Sequence, residues 1–181
     1  MSKVRLYGST SGYIELAAPA VADDGTLTLP TAAAGFGKIL QIVSATDTTN
    51  RTTTSATSVD ADISVSITPL DASSTIYVIW NAEFGASRTA SYDGTEASIT
   101  DSSNVELTGA ESTPVVLRHD NSNWNPAYQV ATLIGSVSAG STSARTYKGR
   151  YRLSFTTTGG PTSYIANAAK TGLMIAIEVA A

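Results

Sequence analysis

The chain has 181 residues, 42% of them hydrophobic and only 14% charged, with a formal net charge of −4 and an isoelectric point near 4.8. A chain of this length and balance buries roughly 70% of the surface its unfolded form exposes, which excludes a disordered protein. With no Lys/Arg cluster a nucleic-acid partner is not expected, zero cysteines remove disulfides and thiol chemistry, and no apolar run nears the ~18 residues of a membrane helix, so no membrane insertion is expected.

Residues 1–37 differ from the rest. Val4 with Leu6, Ile14 with Leu16 and Leu27 with Leu29 are short alternations, broken by Gly8, Gly12, Pro19, Gly25, Pro30, Gly35 and Gly37. Asp23-Asp24-Gly25 is a turn signal between two short strands. No segment here buries a core of its own, because isolated hairpins are marginal in water. The stretch reads as an N-terminal β arm, an assembly or attachment segment that packs on its own domain or on a neighbouring subunit. Met1 to Gly8 lacks the apolar core of a secretion signal, so no cleaved leader is expected.

Residues 38–181 read as one β-sandwich domain. Lys38 to Thr46 is a strand with Leu40 and Ile42 on one face and Ile39, Gln41 and Val43 on the other. Asp47 to Ala61 is rich in Ser and Thr and leaves two readings open, a loop or an exposed strand. Its Asn50-Arg51-Thr52 matches a glycosylation sequon, a chance match among so many threonines. Ile63, Val65 and Ile67 alternate with Ser64, Ser66 and Thr68, the period of a strand with one wet face, and Pro69 ends it. Ile76 to Trp80 is apolar at every position, which predicts a central strand covered on both faces. Asn81 to Gly109 is poorly patterned and predicts elaborated loops, with a turn at Asp93-Gly94.

Further strands are expected over Thr113 to His119, Tyr128 to Gly135 and Arg145 to Thr157. The last carries Tyr147, Tyr151, Leu153 and Phe155 mostly two apart. Asp120 to Pro126 is a tight loop, Gly159-Gly160-Pro161 a break, and Leu173 to Val179 a closing buried run. No apolar period of 3.6 persists anywhere. About eight strands in the main body define an all-β protein, an antiparallel, jelly-roll-like β-sandwich with a short extended arm.

The string GSTSGYIELAAPAVADDGTLTLPT (Gly8 to Thr31) resembles a segment of structural proteins of tailed bacteriophages, especially marine and cyanobacterial ones. Lys38 to Trp80 is similar to the β-rich domain that follows it there, and STSARTYKGRYRLSF and LMIAIEVAA resemble that family's last strands. The resemblance implies a tail-fibre or related virion appendage protein, commonly a homotrimer, mounted on other virion proteins through residues 1–37. It departs from the family in lacking a long repeated shaft, and residues 81–123 match poorly.

Reactive side chains are sparse. His119, beside Asp120, is the single histidine; a general base needs a nucleophile or water in reach, and a lone histidine at a strand end is ordinarily a surface residue. Asp23/Asp24, Asp60/Asp62 and Asp93/Glu96 are the nearest carboxylate groupings, and none has the density of a calcium loop. No metal site or cofactor is expected. Trp124, flanked by Asn123 and Asn125, and Tyr92, beside Asp93, either stack on a sugar or protein partner or plug the end of the sandwich. The candidate binding surface is therefore Tyr92, Asp93, His119, Trp124 and Asn125, facing a host glycan or protein. Two other readings stay open, a capsid decoration or head-fibre protein and a polysaccharide-degrading enzyme; the expectation is a protein without catalytic activity.

Overall fold

The computed structural model describes residues 3–7, 13–17, 38–87, 93–118, 127–154, 161–166 and 170–181. Among them are twelve strands and no helix: β1 (Lys3–Tyr7), β2 (Tyr13–Ala17), β3 (Ile39–Asp47), β4 (Asn50–Thr53), β5 (Val59–Ile67), β6 (Thr75–Ser87), β7 (Asp93–Asp101), β8 (Thr113–Arg118), β9 (Ala127–Ser138), β10 (Arg145–Leu153), β11 (Thr162–Ala166) and β12 (Gly172–Val179). The chain falls into two compact units, Met1–Phe36 and Gly37–Ala181. In the first, β1 and β2 pair antiparallel, with Val4 opposite Leu16, Leu6 opposite Ile14 and Arg5 opposite Glu15. The turn expected at Asp23-Asp24-Gly25 lies outside the described residues.

The second unit is an antiparallel sandwich. Its smaller sheet has the order β5-β10-β7-β8; its larger sheet runs β3-β12-β6-β11-β4, with β9 also paired to β6. β6 is the spine. One edge takes β12 over Thr75–Asn81 and then β11 over Phe84–Ser87, while β9 lies along Thr75–Ala86 on the other.

Alternation fills the space between the sheets. Ile63, Val65 and Ile67 from β5, Ile99 from β7 and Tyr147 and Tyr151 from β10 meet Ile76, Val78, Trp80 and Phe84 from β6. Trp80 is fully buried and meets Phe84 edge-on, ring centroids 5.0 Å apart at 79°. Gly149 makes room for the indole: a Cβ there would stand 2.9 Å from three Trp80 ring atoms. Tyr147, Tyr151 and Leu153 share the core face as their spacing predicts; Phe155 lies outside the described residues.

One carboxylate closes an end of this core. Glu178 of β12 points inward and is fully buried. Its oxygens accept from Leu70 N (2.9 and 3.0 Å), Asp71 N (3.0 Å), Ser74 Oγ (2.7 Å) and Gln41 Nε2 (2.6 Å). These donors belong to β3 and to the turn that carries the chain from β5 into β6, so a single side chain ties the crossover between the sheets. Burial alone raises a carboxyl's pKa, but here the hydrogen bonds from Gln41, Leu70, Ser74 and Asp71 outweigh it and bring Glu178 down from 4.5 to about 2.

Two expectations need correction, and one left open is resolved. β6 is covered by the smaller sheet on one face only: Tyr77, on the opposite face, is 41% exposed. Asn81 to Gly109 is not mainly loop, since β6 continues to Ser87 and β7 spans Asp93–Asp101. Alanine, serine and threonine at alternate places hide that period, because their size and polarity barely differ between the two faces. The Ser/Thr-rich Asp47 to Ala61 is part loop and part strand, with β4 inside it.

Gly149→Ala should lower unfolding stability by about 1–3 kcal/mol in a urea titration, because the indole has nowhere to retreat. Glu178→Gln should cost about 3 kcal/mol at neutral pH, since an amide puts a donor against donors. A folded pKa near 2 against an ordinary 4.5 means that this contribution is whole above pH 4.5 and is lost as pH falls toward 2. The wild type should therefore lose stability over that acid window more steeply than Glu178→Gln. Parallel pH profiles of the two would refute the assignment.

Candidate functional site

The sandwich has two outer faces of opposite chemistry. On the larger sheet, strand register sets Ile42, Ile177 and Tyr77 side by side across β3, β12 and β6. The next row sets Ile175, Ile79 and Ile134 side by side across β12, β6 and β9. Ile42 is 59% exposed and Ile134 52%. Further along, Tyr128 lies over Gly85, where a Cβ would stand 2.5 Å from its ring, and meets Tyr164 edge-on at 6.1 Å.

The two rows contain no charged side chain. Polar groups gather beyond them: Asn81 Nδ2 donates to Thr132 Oγ1 (2.7 Å), and Lys170 pairs with Glu83 (2.8 Å). An apolar centre inside a polar rim is the anatomy of a protein interface. Ile42, Tyr77, Tyr128, Val130 and Ile134 are exposed large apolar side chains on this face.

The outer face of the smaller sheet is polar. β5 turns Ser64 and Ser66 outward, and Ser66 Oγ shares a hydrogen bond with Thr146 Oγ1 across to β10 (2.8 Å). β10 turns out three cations in a row, Lys148, Arg150 and Arg152. Lys148 pairs with Asp60 (3.3 Å), and Arg152 Nη2 with Glu96 (2.6 Å). Arg150 donates instead to the Asn104 side-chain oxygen and the Ser58 carbonyl.

Of the carboxylate groupings picked out from sequence, Asp23 and Asp24 and the side chain of Asp93 lie outside what is described, leaving Asp60, Asp62 and Glu96. Asp62, at positive φ on a bulge of β5, pairs with Arg51 (3.1 Å), while Asp60 and Glu96 serve the cations of β10. Each is an ion-pair partner, and they do not converge on one cleft. Among the described residues no group of three or more His, Cys, Asp or Glu is placed to hold a metal ion. Of the candidate binding surface, Tyr92, His119, Trp124 and Asn125 lie outside the described residues, and Asp93 is described only as the first backbone position of β7.

Neither apolar row was picked out as a surface from sequence. The available signal was the unbroken apolar run Ile76 to Trp80, joined to Leu173 to Val179: two strands apolar on both faces demand more cover than one opposing sheet supplies.

No family model and no curated protein matches the chain. Among solved structures it is similar to the infectious bursal disease virus Gt strain structure, at 15% identity over 97% of this chain and 46% of that one, TM-score 0.40. It is also similar to the VP2 subviral particle of infectious bursal disease virus, at 14% identity over 96% of this chain and 46% of that one, TM-score 0.38. The chain thus spans less than half the length of those proteins.

Proposed function

We propose that the chain is a structural protein of a virus particle, a bacteriophage appendage subunit that assembles as a homotrimer through the outer face of the larger sheet. The observation that carries this reading is the pair of uncharged apolar rows on a sandwich that already has a complete core of its own. A second copy is the occupant the chemistry favours. The face carries no charge in its centre, and the charges at its rim neutralise each other within the chain, so it complements a like surface rather than a charged one. Three such faces turned toward one axis remove the isoleucines from water together, and closed rings of identical subunits are a common solution for such a patch.

In the same reading residues 1–37 mount the protein on other virion proteins, and loops of the sandwich contact a host surface glycan or protein. The engagement of Asp60, Asp62 and Glu96 in separate ion pairs supports a role in holding rather than in catalysis. The resemblance of residues 8–31 to tailed-phage structural proteins supports the phage setting.

Light scattering on the purified full chain should give about three times the 18.7 kDa subunit mass. Ile134→Lys and Tyr77→Lys, both on exposed sites, should yield folded monomers with unchanged far-ultraviolet spectra. A wild type that stays monomeric at micromolar concentration would sink the assembly claim. Gold labelling of intact particles then separates an appendage, labelled at the tail or at vertices, from a decoration protein, labelled across the shell.

A further inference from the structure

We infer that the outer face of the smaller sheet holds a site for a carboxylate-bearing saccharide, centred on Arg150. Among the described residues, Arg150 is the one member of the β10 cation row with no carboxylate partner: Lys148 has Asp60 and Arg152 has Glu96. Its guanidinium is steadied by neutral acceptors only, the side-chain oxygen of Asn104 and the carbonyl of Ser58. Asn104 is in turn held at φ 66°, a left-handed conformation that an asparagine tolerates, by the turn that follows β7. A guanidinium positioned from two sides, with no carboxylate in ion-pair contact among the described residues, is prepared for an oxyanion.

Around it lies a depression of about 350 Å³, at the small end of ligand sites and large enough for one sugar ring. Thr57, Ser58, Ser98, Thr100, Asn104 and Glu106 line it with Arg150. Alternation explains the floor. Ala97 and Ile99 face the core, so Ser98 and Thr100 face outward, yet they are 1% and 2% exposed. The hydroxyl of Thr100 has no hydrogen-bond partner among the described residues. A buried polar group without a partner is costly, and a ligand hydroxyl or a water held beneath the ligand supplies what is missing.

The lining also decides the ligand class. A bare inorganic anion would meet the Glu106 carboxylate in the same depression. A neutral sugar would leave Arg150 without an ion-pair partner in contact. A uronate satisfies both, with its carboxylate on Arg150 and its ring hydroxyls donating to Glu106. No aromatic side chain lines the depression to stack on the ring, so the contact is polar and a single site is weak, with a millimolar dissociation constant. The site belongs to one copy of the chain and is independent of assembly through the opposite face.

The test is a titration of the isotopically labelled full chain with glucuronate, glucose and acetate at low ionic strength, followed by amide chemical shifts. Glucuronate should shift residues of β7, β10 and the turn at Asn104 in a saturable way, and bind at least about tenfold more tightly than either control. Arg150→Gln should lose about tenfold in glucuronate affinity and erase the preference over glucose. Because Arg150 also braces two loops, Thr100→Val supplies a second arm. It removes a hydroxyl that has no partner among the described residues, so its melting temperature should not fall, while glucuronate affinity drops several-fold. Equal binding of glucuronate and acetate, or a Thr100→Val protein that binds glucuronate as the wild type does, overturns the inference. The Ile134→Lys monomer should bind glucuronate normally, so a failure of self-assembly and a failure of this site read differently.

Discussion

A strand with apolar side chains on both faces needs two covers, and a sandwich supplies each sheet with one. β6 is that strand. Trp80, Val78 and Ile76 are sealed against the smaller sheet, and Gly149 is bare so that the indole can sit flat. Tyr77 and Ile79 point the other way with the isoleucines of β12 and β9, and no second sheet among the described strands of the sandwich packs on them. Hydrophobic burial is worth roughly 25 cal/mol per Å², which is the physical basis of the assembly proposed through that face. The layout of the larger sheet, with β6 as its spine, turns an excess of apolar residues into one contiguous patch.

The opposite face shows what a sheet looks like when it stays in water. Serine and threonine alternate with core residues on β5, and the cations of β10 are met by Asp60 and Glu96 from the strands on either side. Cross-strand pairs of this kind hold register and solubility together. Between the two sheets, Glu178 anchors the crossover turn by accepting from four donors at once, a buried charge tolerated because both of its oxygens are hydrogen-bonded. The sandwich is therefore polarised across its thickness: an apolar outer face, a core fastened by a carboxylate, and a polar outer face on which Arg150 has no ion-pair partner among the described residues.

Much of this was legible in residue order. The alternation at Ile63, Val65 and Ile67 and at Tyr147, Tyr151 and Leu153 is unambiguous because large apolar residues contrast with serine, lysine and arginine. β7 escaped for the converse reason: Thr95, Ala97 and Ile99 face inward while Glu96, Ser98 and Thr100 face outward, and small polar residues on both sides blur the contrast. β11 follows Gly159-Gly160-Pro161, a breaker that hid the short strand beyond it. Arg150 carried no signal at all, since its distinction is the absence of an acid that Lys148 and Arg152 happen to have.

The sequence by itself determined the class: all-β, weakly charged, with a core built on β-branched and aromatic alternation. Periodicity is a local property, and side-chain size and polarity record it directly. Which face of β6 is buried, which acids meet which cations, and that Glu178 gathers donors from residues more than a hundred positions away were decided only by tertiary structure. Those outcomes depend on strand order and register between distant segments, and the pairing of distant segments leaves no mark on the local pattern of either one.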